Sequence, residues 1–253
     1  PTGYLYTREE LQKLAEIALK HDIVIISDEV YREYVYDGEK QVSMLERPLK
    51  ETGIEIFIRY NEAINILHKV KYFNEQTYGG IVSSRKPFGI ESNFSKFVLS
   101  ESKTHNIKLY KVGGVGFIEE KDVVSKKELI DKIKVIVSKA SPVDDTYPHK
   151  IISEPIIALP KSVCTETYLV IDILENENQA KNLIKYMKTN FFRFMMSLVK
   201  NTQNITKGVF VFVPKLNMDE EWTDEKLYKK YKLKQDEIDF IATIVKKMDS
   251  SDE

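Results

Sequence analysis

Cysteine is nearly absent: Cys164 is the single one in 253 residues. An internal disulfide and a Cys-type zinc site are therefore excluded, and the lone thiol fits a small buried hydrophobe in a reducing cytoplasm. No apolar run approaches the roughly 20 residues that a membrane-crossing helix needs, so a cytoplasmic chain without a membrane partner is expected. Neither sign of charge dominates, since 38 Lys and Arg stand against 39 Asp and Glu, for a net charge of -1. The whole-chain charge gives no hint of a nucleic-acid partner. The four histidines, His21, His68, His105 and His149, show no paired ligand spacing, so no metal site is expected. No two prolines are adjacent, and no repeat or low-complexity tract is present. The opening Pro1-Thr2-Gly3 brings neither an initiator Met nor a basic and apolar leader, which reads as a piece of something longer.

Against these absences, 42% of residues are apolar and 30% charged, the balance of a chain with a packed core. The length permits one large or two modest domains. A mixed α+β chain is expected, a helix-strand fragment over 1–46 joined through 47–52 to a larger mixed domain over 53–245, with an acidic tail over 246–253.

The first segment opens with a capping signal, Thr7 followed three residues later by Glu10. Leu11, Leu14, Ala15, Ala18 and Leu19 then recur at helical spacing up to His21-Asp22. Ile23 to Ser27 is short, continuous and β-branched, the pattern of a strand buried on both faces of a parallel sheet. A helix and a strand alone cannot make a sheet, so the segment must dock, pair with another chain or stay partly unfolded. With Ser27-Asp28-Glu29-Val30-Tyr31 and Tyr36-Asp37-Gly38, residues 1–46 resemble the middle of a fold-type I aminotransferase, a pyridoxal phosphate enzyme. The resemblance implies that Asp28 pairs with the pyridinium nitrogen of the cofactor and Tyr31 hydrogen-bonds its ring oxygen. The Schiff-base lysine, the phosphate-binding groups and the substrate-binding arginine of the family have no counterpart in context. Ser83 to Gly89 mimics the lysine turn in letters, too far downstream and without the matching strand.

Beyond the join, the spacing predicts a helix over 56–70. Strands are predicted at 98–99, 107–110, 116–118, 133–137, 151–152, 156–159, 167–173 and 209–213. A long helix is expected after Glu175, and a terminal helical pair around Leu227 and Ile238 with Thr223 or Asp224 as N-cap. From Asn178 to Met218 there are seven basic residues, Lys181, Lys185, Lys188, Arg193, Lys200, Lys207 and Lys215, and no Asp or Glu. Projected on one helix, Lys181, Lys185, Lys188, Arg193 and Lys200 share a face opposite Leu183, Met187, Phe191, Phe194 and Leu198. Such a cationic face suits phosphate binding by counterion release, or else is a solvated face balanced by the acidic residues from Asp219 to Glu225.

Two polar loops add candidate contacts, Ser84, Arg85 and Lys86 in one, Lys139 and Lys150 bracketing the other. Ser83 to Gly89, Ser162 to Tyr168, Lys188 to Lys200, Thr202-Gln203, Val211 to Pro214 and Trp222 to Tyr231 resemble the target-recognition region of type II restriction-modification adenine methyltransferases. That resemblance implies a noncatalytic module reading double-stranded DNA through Ser84, Arg85, Lys86, Lys139, Lys150, Lys185, Lys188, Arg193, Lys200, Gln203 and Lys207. The catalytic domain and S-adenosylmethionine would belong to the parent enzyme. The family's Asn/Asp-Pro-Pro-aromatic signature and a glycine-rich donor loop are missing here, so neither a catalytic residue nor a cofactor is expected in this part. Two alternatives stand beside this reading: a fragment of a pyridoxal phosphate aminotransferase, and a structural or artificially fused polypeptide without activity of its own.

Overall fold

The computed structural model describes residues 6–21, 23, 25, 60, 62–140, 148–200 and 204–248. The class is α+β. The chain divides into two compact units, Pro1–Phe57 and Ile58–Glu253.

In the first unit the capping signal is realised. Thr7 Oγ1 accepts from the Glu10 N–H at 3.3 Å while the Glu10 carboxylate accepts from the Thr7 N–H at 2.8 Å. This reciprocal pair starts α1 (Arg8–Lys20), which buries Leu11 and Ala18. Of the strand expected at 23–27 only Ile23 and Ile25 are described, and both are exposed rather than buried.

The second unit opens with α2 (Ala63–Tyr72), whose Ala63, Ile66, Leu67 and Val70 form the buried stripe. It ends at Asn74, which takes a left-handed φ of 49° that short Asn side chains tolerate. Two three-stranded sheets follow. In the first, β1 (Ile107–Lys111) pairs antiparallel with β2 (Gly114–Ile118) and parallel with β5 (Ser162–Cys164). The β1–β2 turn needs positive φ, 80° at Gly113 and 126° at Gly114, which glycine adopts without steric cost. In the second sheet, β3 (Ile133–Ser138) lies between β4 (Ile156–Ala158) and β6 (Tyr168–Leu174), antiparallel to both, with a bulge between Val135 and Ile136. Leu109, Ile118 and Val163 of the first sheet and Ile136, Ala158 and Val170 of the second share one apolar core with Phe88 and Ile90.

Where one long helix was expected after Glu175 there are two, α3 (Glu177–Lys188) and α4 (Asn190–Ser197). Thr189 makes the break. Its hydroxyl donates to Tyr186 O at 2.7 Å and accepts from the Phe192 N–H at 3.1 Å, closing one helix and capping the next. The strand expected at 209–213 is a single 3₁₀ turn over Lys207–Phe210, whose apolar side chains go into the core instead of onto a sheet face. The strand expected at 151–152 is also absent, since Ile151 takes a φ of 63° that no strand permits. Two helices finish the fold, α5 (Asp224–Lys230), capped by Thr223 as expected, and α6 (Gln235–Ile244).

Candidate functional site

Asp28 and Tyr31, the two residues a pyridoxal cofactor would meet, lie outside the described residues, as does Gln203. The helix that would precede them is in place. The described lysines of that segment, Lys13 and Lys20, are exposed on α1. A Schiff-base lysine works in a desolvated pocket, so neither fits that role.

The cationic ridge expected from Lys181 to Lys200 does not form. The helix breaks at Thr189, and Arg193 in α4 goes inside, 0% exposed. Its guanidinium donates to Thr189 O at 3.2 Å, Lys188 O at 3.1 Å and Asn190 Oδ1 at 2.9 Å, and also to Lys246 O. It therefore satisfies the carbonyl of Lys188, the last residue of α3, which the helix itself leaves open. Burial lowers its pKa to about 10, against the pull of Asp224. Asp224 serves the other side of the same break, accepting from the N–H groups of Asn190 and Phe191 at 2.9 Å each. An anion at the start of α4 and a cation at the end of α3 both match the helix dipoles.

Three other basic residues of the 178–218 stretch meet carboxylates. Lys185 pairs with Glu221 at 2.9 Å, Lys188 with Glu154, and Lys215 with Asp172 at 3.1 Å. Lys181 and Lys207 are exposed, and Lys200 is half-buried. In the first polar loop Ser84 is exposed, Lys86 pairs with Glu91, and Arg85 reaches back to Glu166 at 2.7 Å. Lys139 and Lys150 are half-buried, and the Lys139 backbone bonds to Thr167 and Ile205. With Arg193 buried and Arg85, Lys86, Lys185, Lys188 and Lys215 paired with carboxylates, the continuous cationic face on which the phosphate-binding expectation rested is not formed.

Three groupings were not foreseen. The Lys134 ammonium, 0% exposed, donates to the carbonyls of Leu129, Ile130 and Lys132 at 2.8, 3.2 and 2.6 Å. No periodicity marks it, because a lysine in a β-branched run reads as a solvent-facing residue. A surface cavity of about 390 Å³ is lined by Ser95, Phe97, His105, Glu119, Lys121 and neighbouring residues. His105 sits there between Thr104, 3.0 Å from its Nδ1, and Glu119, 3.7 Å from its Nε2, and Glu119 takes Lys121 at 2.8 Å. The third is a cluster of rings around Lys230, formed by Phe73, Trp222 and Tyr231. Among the described residues no group of three or more His, Cys, Asp or Glu could hold a metal ion, and no helix is long and apolar enough to cross a membrane.

The comparisons with known proteins bear on the first unit. The family model described as aminotransferase class I and II matches residues 1–60. An aspartate aminotransferase of Bacillus subtilis (strain 168) is 50% identical over 58 residues, 22% of this chain and 15% of the relative. Kynurenine–oxoglutarate transaminase 3 of Rattus norvegicus is 50% identical over 48 residues, 19% and 11% of the two chains. Aromatic-amino-acid aminotransferase 2 of Thermococcus litoralis is 42% identical over 59 residues, 21% and 15%. The chain thus spans no more than 15% of the length of these relatives. The aminotransferase resemblance of the first residues is upheld and extends somewhat past residue 46. The restriction-modification methyltransferase reading is corrected: the family match and the relatives are aminotransferases, and of the ridge on which that reading stood Arg193 is buried while Lys185 and Lys188 are paired with carboxylates. No finding supports S-adenosylmethionine.

Proposed function

We propose that residues 1–60 are a segment of a pyridoxal phosphate-dependent aminotransferase, contributing the pyridine-ring contacts Asp28 and Tyr31 to a cofactor site that this chain supplies only in part. The observation carrying this reading is the family match over residues 1–60 with 50% identity to an aspartate aminotransferase. The donor chemistry agrees with it in one respect, since a carboxylate that keeps the ring nitrogen protonated is what makes the cofactor an electron sink. In another respect the set falls short. The described lysines of the segment, Lys13 and Lys20, are exposed on α1, so neither of these two makes a covalent cofactor site, and no catalytic step is assigned to them.

Pyridoxamine phosphate, which needs no lysine, separates these two statements. Its fluorescence anisotropy is expected to rise saturably on titration with the chain. Asp28→Asn is expected to weaken binding about tenfold or more, the worth of one charge-assisted hydrogen bond. Adding pyridoxal phosphate and then borohydride is expected to leave no preferred phosphopyridoxyl-lysine on peptide mapping. Binding indifferent to Asp28, or no binding, removes the reading.

A further inference from the structure

Lys230, the last residue of α5, carries its ammonium into a corner made by three aromatic rings. The Nζ lies 4.9 Å from the centroid of Phe73, 5.5 Å from that of Tyr231 and 5.7 Å from that of Trp222. The Glu75 carboxylate closes the corner, with Oε1 2.9 Å from the ammonium. Three ring faces and one anion converging on a cation are the features by which proteins recognise organic ammonium groups.

Each wall of this box is held by something other than the lysine. Tyr231 is stacked on Phe191 at 5.0 Å with ring planes 8° apart, and its hydroxyl donates to Glu75 Oε2 at 2.6 Å. Phe73 meets Tyr231 edge to face at 5.3 Å. Trp222 donates its indole N–H to Asn217 O at 2.9 Å. The box is therefore preorganised, and removing the lysine leaves its walls in place. It is also open at one side, where Tyr72, 88% exposed, stands edge-on to Phe73 and extends the aromatic surface into solvent.

We propose that Phe73, Trp222, Tyr231 and Glu75 form an alkylammonium-recognition site that Lys230 fills from within the chain, and that a small alkylated ammonium such as a choline head group enters when Lys230 swings out. A primary ammonium is strongly hydrated and sits on a flexible four-carbon stem, so leaving for water costs it little. An alkylated ammonium has lost most of that hydration and gains more from the rings. Nothing in this site depends on residues 1–60.

Trp222 is the single tryptophan of the chain, so its fluorescence reports on the box directly. Choline is titrated into the full chain and into Lys230→Ala, with sodium chloride and 3,3-dimethylbutan-1-ol, the neutral isostere of choline, as controls. Saturable quenching by choline alone is expected, about tenfold or more tighter in K230A because the tethered competitor is gone. Equal responses to choline and its neutral isostere, or no response in a K230A protein with native circular dichroism, overturn the proposal. Should K230A fail to fold, reductive ¹³C-dimethylation of the native chain decides. The Lys230 dimethylammonium signal, assigned by its loss in Lys230→Arg, is expected upfield of the other lysines through the ring currents, and a signal at the position of an exposed lysine overturns the site.

Discussion

Arg85 and Glu166, 81 residues apart in the chain, meet at 2.7 Å and tie the loop after Gly80 to the turn leading into β6. The guanidinium hydrogen bond, joined by the Ser92 N–H and hydroxyl, lowers the Glu166 pKa to about 2. A depressed carboxyl stabilises the fold fully above the ordinary carboxylate range and loses that contribution as the pH falls toward about 2. Carboxyl ¹³C titration is expected to find Glu166 well below the other glutamates, and Arg85→Gln is expected to bring it back up. An unmoved midpoint in R85Q would show that Ser92 alone holds the carboxylate.

Thr189 is expected to be worth about 1 to 2 kcal/mol as a shared cap. Thr189→Ala removes the acceptor for the Phe192 N–H and the donor to Tyr186 O together. Urea unfolding should show that loss with an unchanged m-value, since the surface exposed on unfolding stays the same. Thr189→Ser keeps both bonds and is expected to lie close to the native stability.

Arg193→Met keeps most of the side-chain volume but takes the guanidinium donor from the carbonyls of Lys188 and Lys246, while Thr189 O keeps the backbone N–H of residue 193. Orphaned buried acceptors cost about 1–3 kcal/mol each when water cannot reach them, so a total destabilisation of about 3 kcal/mol is expected. Lys185→Met and Lys207→Met, at exposed positions, should each stay within about 0.5 kcal/mol of native stability. A reversed order in the same urea series would return Arg193 to the surface.

Lys134 makes the stability depend on alkali in a defined direction. Burial pushes its pKa down to about 8, while Cys164 and Asp131 pull the other way. A lysine whose folded pKa is lowered penalises folding while it is charged. Stability therefore rises with pH from about 8 up to its ordinary range, because the unfolded chain then holds the extra proton. The difference in stability between the native chain and Lys134→Met is expected to shift in favour of the native chain by about 2 kcal/mol between pH 7 and pH 9.5. Comparing the two at each pH cancels the tyrosines. A flat difference would mean that the ammonium reaches water.

Elements whose signal is local were legible in the sequence. The Thr7–Glu10 pair started α1 and Thr223 capped α5, each through backbone groups within a few residues. The α3–α4 break escaped because apolar and basic residues keep the same period across it, while the hydroxyl that makes it bonds three residues away on either side. Arg193 was assigned to a solvent face for the same reason. Its partners are carbonyls of the helix before it and Lys246 O near the other end of the domain, which no local window contains. The apolar run Val209 to Val213 carried strand composition, but Tyr78 N takes the Val213 carbonyl from across the core and the run curls into a turn. At the site level, Asp28 and Tyr31 are proposed only through a family resemblance and lie outside the described residues, and nothing in sequence spacing marks the ring cluster around Lys230, since Phe73 and Glu75 lie about 150 residues from the rings they face.

The central claim, an aminotransferase-type ring contact at Asp28, is tested most directly by the protonation state of the cofactor nitrogen. Pyridoxamine phosphate labelled with ¹⁵N in the ring is bound to the native chain and to Asp28→Asn at pH 8, and the nitrogen shift is read by NMR. A pyridinium shift in the native chain that moves to the neutral pyridine position in D28N is the predicted result. A neutral ring in both proteins, or a protonated ring in both, would contradict the account.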